Sequence, residues 1–208
     1  SLESAKTPNE EERILKYLTE KCPSIHQAWF NLGVLELERQ NYSQALNLFR
    51  KAWELNKSQK YQLAYAIALL KNQDPTVSEV WRGLNLENKK KLLQSVSNQE
   101  SLKFLDSNDP ELTCEFAELF LRFREDQKFK QHAANCSNLD VKPILDLISL
   151  KLEKKEIKPD LVATIKTRSL SDIPPFLLLK LFEIFVENEL FELAELLFNK
   201  LSKHVEKE

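Results

Sequence analysis

Two glycines in 208 residues, Gly33 and Gly83, narrow what this chain can fold into more than any other feature. β-Hairpin turns of the favoured mirror-image types and the loops that cradle phosphate both need backbone with φ > 0, and glycine is the residue that supplies it cheaply. The abundant residues include Leu, Lys and Glu, all good helix formers, and apolar positions recur at spacings of three and four rather than two. The expectation is an all-α chain.

A chain of this length can bury a substantial core without disulfides or metals. Hydrophobic residues at 42% and charged residues at 30% exclude both a disordered composition and a membrane-embedded one. The net charge is −2 with both signs mixed along the chain, which leaves no electrostatic footprint for nucleic acid; Lys89-Lys90-Lys91 and Lys154-Lys155 read as solvated helix faces. No apolar run is long enough to span a bilayer, since the richest, Phe176 to Val186, carries Lys180 and Glu183. Cys22, Cys114 and Cys136 are too few and too scattered for a disulfide framework. That suggests a reducing compartment, and a cytoplasmic location is expected. The chain contains no methionine, so its natural start is expected to have been removed, and the absence of a signal peptide carries no information.

Along the chain, Thr7-Pro8-Asn9-Glu10 has the form of a helix start, with a hydroxyl cap, proline at the first helical position and a glutamate reaching back. That helix runs to about Lys21, and Pro23 ends the pattern. A second helix is expected over roughly His26 to Arg39 and a third over Tyr42 to Asn56, whose stripe of Ala45, Leu48, Phe49, Ala52 and Trp53 must pack on a neighbour. The short turn at Gln40-Asn41 makes the two an antiparallel hairpin, with Gly33, Ala45 and Ala52 allowing close approach. Further helices follow at Tyr61 to Lys71, around Phe116 to Phe123, Lys142 to Lys154, Pro159 to Lys166 and Phe176 to Val186, while Asp74-Pro75 and Gly83 break the pattern between.

Trp29-x2-Leu32-Gly33, Tyr42-x2-Ala45 and Phe49-x2-Ala52 stand at the intervals of the tetratricopeptide repeat, and His26 to Gln59 resembles one complete repeat of that family. The departures are Glu36, where an aromatic is usual, and Lys57, where proline is usual. Leu15, Leu18 and Pro23 fall where the second helix of a preceding repeat would lie. Weaker likeness returns at Phe116, Leu119, Phe120 and Phe123 followed by Phe129 and Ala133, and at Leu181, Phe182 and Phe185 followed by Phe191, Ala194 and Phe198. The resemblance implies an irregular right-handed array of antiparallel helical hairpins, a tetratricopeptide-like α-solenoid. It forms a single domain over 1–208, best defined over 1–71, irregular over 72–112 and degenerate over 113–208.

In that family the first helices of successive hairpins line a concave wall that holds a partner. Here the resemblance assigns Gln27, Phe30, Val34, Leu37, Tyr61, Ala64, Tyr65, Ala68 and Lys71 to it. Phe30, Val34 and Tyr65 stand where the carboxylate-clamp branch of the family needs polar groups, so the expected occupant is an amphipathic helix or apolar peptide of another protein. The function expected is that of an adaptor, assembly chaperone or scaffold subunit, with no nucleic acid, no direct membrane insertion, no cofactor, and the oligomeric state left open. The alternative is an architectural subunit whose groove its own helices fill. A metal protein or enzyme stands behind both. His132 and Cys136 lie four apart with Cys114 conceivably near, but structural zinc wants four ligands at tight spacings and Cys136 reads as a small buried helix residue. His26 and His204 lack a paired nucleophile, and Glu10-Glu11-Glu12 and Glu115-x2-Glu118 fall at turns and helix edges, where solvation is the usual state. No metal site and no catalytic residue is expected.

Overall fold

The computed structural model describes residues 8–205, and within them all the regular secondary structure is helical, without strands. The twelve α-helices are α1 Pro8–Lys21, α2 His26–Glu38, α3 Tyr42–Leu55, α4 Gln59–Lys71, α5 Val77–Gly83, α6 Leu86–Gln94, α7 Thr113–Arg122, α8 Asp126–Asn135, α9 Lys142–Leu152, α10 Pro159–Thr167, α11 Pro175–Glu187 and α12 Phe191–Val205. Two 3-10 segments, Gln99–Phe104 and Pro110–Leu112, stand where the sequence pattern gave no period. The cap expected at Thr7 lies outside the described residues. Two compact units result, Ser1–Asp106 and Ser107–Glu208.

In the first unit α2 and α3 form the tightest pair, and the reason is Gly33. A Cβ at this position would stand 2.6 Å from Phe49 Cε1, so only glycine lets the Phe49 ring approach α2 this closely. Ala45, Phe49 and Ala52 are fully buried on the facing stripe of α3, and Leu32 and Ala28 are buried on α2. Trp29 is half-buried and donates its indole N–H to the Pro23 carbonyl at 2.9 Å, which fixes the entry of the chain into α2. Glu36 and Lys57, where the sequence departs from the resemblance, each have a local account. Glu36 is buried, and its carboxylate accepts from Asn41 Nδ2 at 2.7 Å and from Arg39 Nη1 at 3.2 Å, so a polar knot satisfies it in the interior. Lys57 lies over the Trp53 ring at 3.6 Å.

α1 packs on α2 through Leu15, Ala28 and Leu32, and α4 packs on α3, α5 and α6. Asp74-Pro75 does break the pattern, leaving α5 only seven residues long and ending at Gly83. In the second unit α7 pairs with α8, α8 with α9, α9 with α10 and α11, and α11 with α12. Its core is carried by Phe116, Phe129, Ile144, Leu145, Leu147, Leu177, Leu181 and Phe185.

The turns contradict the simplest reading of glycine scarcity. Neither glycine has φ > 0, yet Gln40, Gln73, Arg124, Lys154 and Glu189 do, at φ values from 52° to 63°. Each follows the end of a helix (α2, α4, α7, α9 and α11), and each is locked by the same pair of backbone bonds. The left-handed residue donates to a carbonyl three back, and the next residue donates to a carbonyl five back: Asn41 to Glu36, Asp74 to Leu69, Glu125 to Phe120, Lys155 to Leu150 and Leu190 to Phe185, at 2.8–3.0 Å. Long polar side chains thus hold corners that glycine usually takes.

A second correction concerns the cysteines. Cys114 and Cys136 form a disulfide with Cα atoms 4.8 Å apart, and Cys22 is exposed and free. Cys136 is buried, but as the extended residue capping α8 rather than a helix-interior one. Spacing along the chain had hidden the pairing. The α7–α8 hairpin brings the start of one helix beside the end of the other, where Thr113 Oγ1 also donates to the Asn135 carbonyl at 3.2 Å.

Candidate functional site

The residues expected to line a binding wall fall on α2 and α4. Ser58 caps α4, its hydroxyl accepting from the Tyr61 amide at 3.3 Å, and so fixes which residues α4 turns toward α2. Tyr61 stacks on Phe30 with ring centroids 4.8 Å apart, and its hydroxyl lies 2.8 Å from His26 Nδ1. Asn56 Nδ2 sits 3.4 Å from the other ring nitrogen of His26, and Lys60 Nζ lies 4.6 Å above the Phe30 ring. Tyr65 stacks on Trp53 of α3 at 5.5 Å. Burial raises the pKa of both tyrosine hydroxyls, so they act as neutral groups.

The nine residues divide by exposure. Tyr61, Tyr65 and Ala68 are buried among the chain's own helices, and Lys71 is half-buried with its ammonium donating to the Ser95 carbonyl and to Ser97 Oγ. Gln27 is exposed, and Phe30, Val34, Leu37 and Ala64 are half-buried. Phe30, Val34 and Leu37 are spaced i, i+4, i+7 and form one apolar ridge along α2. Chemically this face offers apolar contact beside one imidazole and one tyrosine hydroxyl.

Sequence reasoning missed a concavity in the second unit. The end of α7, the α7–α8 corner, the end of α9 and the face of α11 enclose about 420 Å³. Leu121, Ile148 and Ile184 are buried in its lining, and the Phe176 ring has the Arg122 guanidinium at 5.5 Å and Lys180 Nζ at 5.7 Å. Most of its charges are already matched: Arg122 with Glu118 at 2.7 Å, Lys180 with Glu183 at 2.9 Å and Lys151 with Glu187. Burial raises the pKa of the Glu118 carboxyl, and Arg122 beside it pulls the other way. Phe176, Lys180 and Glu183 could be read on one side of α11, but only the adjacency of α7, α9 and α11 makes a cavity of them.

Cys114, Cys136 and His132 do not assemble as metal ligands. Cys114 and Cys136 are bonded to each other, and the His132 ring nitrogens lie 2.8 Å from the Lys128 carbonyl and 3.0 Å from the Ser107 carbonyl. His132 packs against Phe120, ring centroids 4.8 Å apart. Among the described residues no group of three or more potential ligands surrounds a common point, and no helix is long and apolar enough to cross a membrane. Compared with known proteins, the chain matches no family model, no curated protein and no solved structure.

Proposed function

We propose that this chain is a protein-interaction module of tetratricopeptide type, an adaptor, assembly chaperone or scaffold subunit that holds an amphipathic helix or apolar peptide of another protein against α2 and α4. The observation that carries this reading is the Phe30, Val34 and Leu37 ridge, half-exposed on a helix whose other side is clasped to α3 through Gly33 and Phe49. A rigid scaffold presenting an apolar ridge suits helix-in-groove recognition, where anchors at i, i+4 and i+7 enter the partner interface. The repeated corner at Gln40, Gln73, Arg124, Lys154 and Glu189 supports an array of hairpins as the underlying architecture.

Selection of displayed amphipathic-helix peptides on the full chain tests the reading. Enriched peptides are expected to bind the wild type and to lose at least about tenfold in affinity on a Val34→Lys/Leu37→Lys variant with unchanged helical circular dichroism. Equal affinity for both proteins defeats it. A second reading, an architectural subunit whose face is filled by its own helices, draws on the burial of Tyr61, Tyr65 and Ala68. It expects no peptide to be enriched at all.

A further inference from the structure

α11 is apolar on more than one side. It buries Leu177, Leu178, Leu181, Ile184 and Phe185, and its opposite side holds Leu179, Phe182 and Val186, which share a face at spacings of three and four. A helix apolar nearly all round is ordinarily covered on every side, and this one is not. The ring of Phe182 reaches Phe198 of α12, centroids 6.5 Å apart, and Phe198 shares its face with Phe191 seven residues earlier. Four of these side chains remain open: Leu179 is 45% exposed, Val186 40%, Phe191 62% and Phe198 59%. Together with Phe182 they leave an apolar face on the order of a few hundred Å² on this hairpin, the size at which an exposed patch on a folded chain is often functional.

Charge identifies the kind of occupant. Between residues 181 and 199 the sequence contains Glu183, Glu187, Glu189, Glu192 and Glu195 and no lysine, arginine or histidine. Glu183 and Glu187 are matched by Lys180 and Lys151. Glu189, Glu192 and Glu195 are exposed around the α11–α12 corner and the start of α12, beside Phe191 and Phe198. A second copy of this chain brought to the face by a two-fold axis would set these carboxylates against their own kind, which disfavours self-association. We propose that the outer face of the α11–α12 hairpin is a second interaction surface, which takes a basic amphipathic helix of another protein: an apolar stripe on Leu179, Phe182, Val186, Phe191 and Phe198, flanked by lysine or arginine facing Glu189, Glu192 and Glu195.

Fluorescence anisotropy of labelled helical peptides against the full chain tests this, with a leucine/lysine amphipathic peptide and a leucine/glutamate peptide of identical apolar pattern as probes. The lysine peptide is expected to bind, more weakly as salt rises, and the glutamate peptide at least about tenfold less tightly. Phe191→Ser/Phe198→Ser is expected to weaken the lysine peptide by at least about tenfold. Both phenylalanines are more than half exposed, so the fold is preserved, as circular dichroism checks. Glu189→Gln/Glu192→Gln/Glu195→Gln flattens the salt dependence and leaves helix content unchanged. Equal binding of the two peptides, or undiminished binding by the phenylalanine variant, overturns the proposal. So does a molar mass by light scattering that doubles in the wild type and not in the phenylalanine variant, because the occupant would then be a second copy.

Discussion

At the five corners the backbone adopts a left-handed conformation that costs an L-residue roughly 1–2 kcal/mol, and the residues doing so are Gln40, Gln73, Arg124, Lys154 and Glu189. Glycine relieves that cost at the expense of some unfolded-state entropy, so Gln40→Gly and Arg124→Gly are each expected to stabilise by about 0.5–1 kcal/mol. Urea denaturation of the single variants measures this, and a fall in midpoint for both contradicts it. These residues could not be read from sequence because Gln, Arg, Lys and Glu carry no turn signal; the backbone bonds that lock them exist only once the helices end where they do. Gly33, by contrast, was legible. Its spacing from Trp29, Ala45, Phe49 and Ala52 announced a close approach, and the ring of Phe49 fills the space where its Cβ would be.

Helices were the most legible level, since the 3.6-residue period needs no knowledge of neighbours and Pro23, Pro143, Pro159 and Pro175 mark their edges. What links one helix to another was less so. Glu12 on α1 accepts from Arg39 Nη2 at 2.6 Å, just beyond α2, and pairs with Lys16 at 2.7 Å. The hydrogen bond from Arg39, followed by that from Lys16, holds the Glu12 carboxyl at about 2, well below its ordinary 4.5. A carboxyl whose folded pKa is depressed stabilises above its unfolded value and loses that contribution as pH falls through the folded one. The stability difference between wild type and Glu12→Gln is therefore expected to be full at neutral pH, to shrink as pH falls below about 4.5 and to vanish near about 2. Denaturant midpoints through that window check it; a difference persisting at the acid end rules out the ion pair as its source. The Cys114–Cys136 bridge was illegible for a related reason, since a separation of 22 residues says nothing until the hairpin folds one end back on the other.

Taken whole, the second unit is built from neighbours in sequence: α7 on α8, α8 on α9, α9 on α10 and α11, α11 on α12. Chains stacked this way respond to damage locally, because each element's stability depends on those it touches. Phe129 is fully buried on α8, and Phe129→Ala is expected to cost about 3–5 kcal/mol. Hydrogen exchange by mass spectrometry is expected to quicken most in α7, α8 and α9 and least in α11 and α12. A uniform acceleration through the unit contradicts the picture. The wall residues show where reading by resemblance stops: Phe30, Val34 and Leu37 keep open surface, whereas Tyr61 and Tyr65 turn inward onto Phe30 and Trp53. The sequence positions of the two sets look alike, and only packing separates them.

With Cys114 and Cys136 joined and Cys22 exposed, an oxidised molecule offers a single thiol to an alkylating reagent, and a fully reduced, unfolded one offers three. A tag applied at the instant of cell lysis, weighed on the intact, unfolded chain, would therefore show whether the bridge was closed in each molecule.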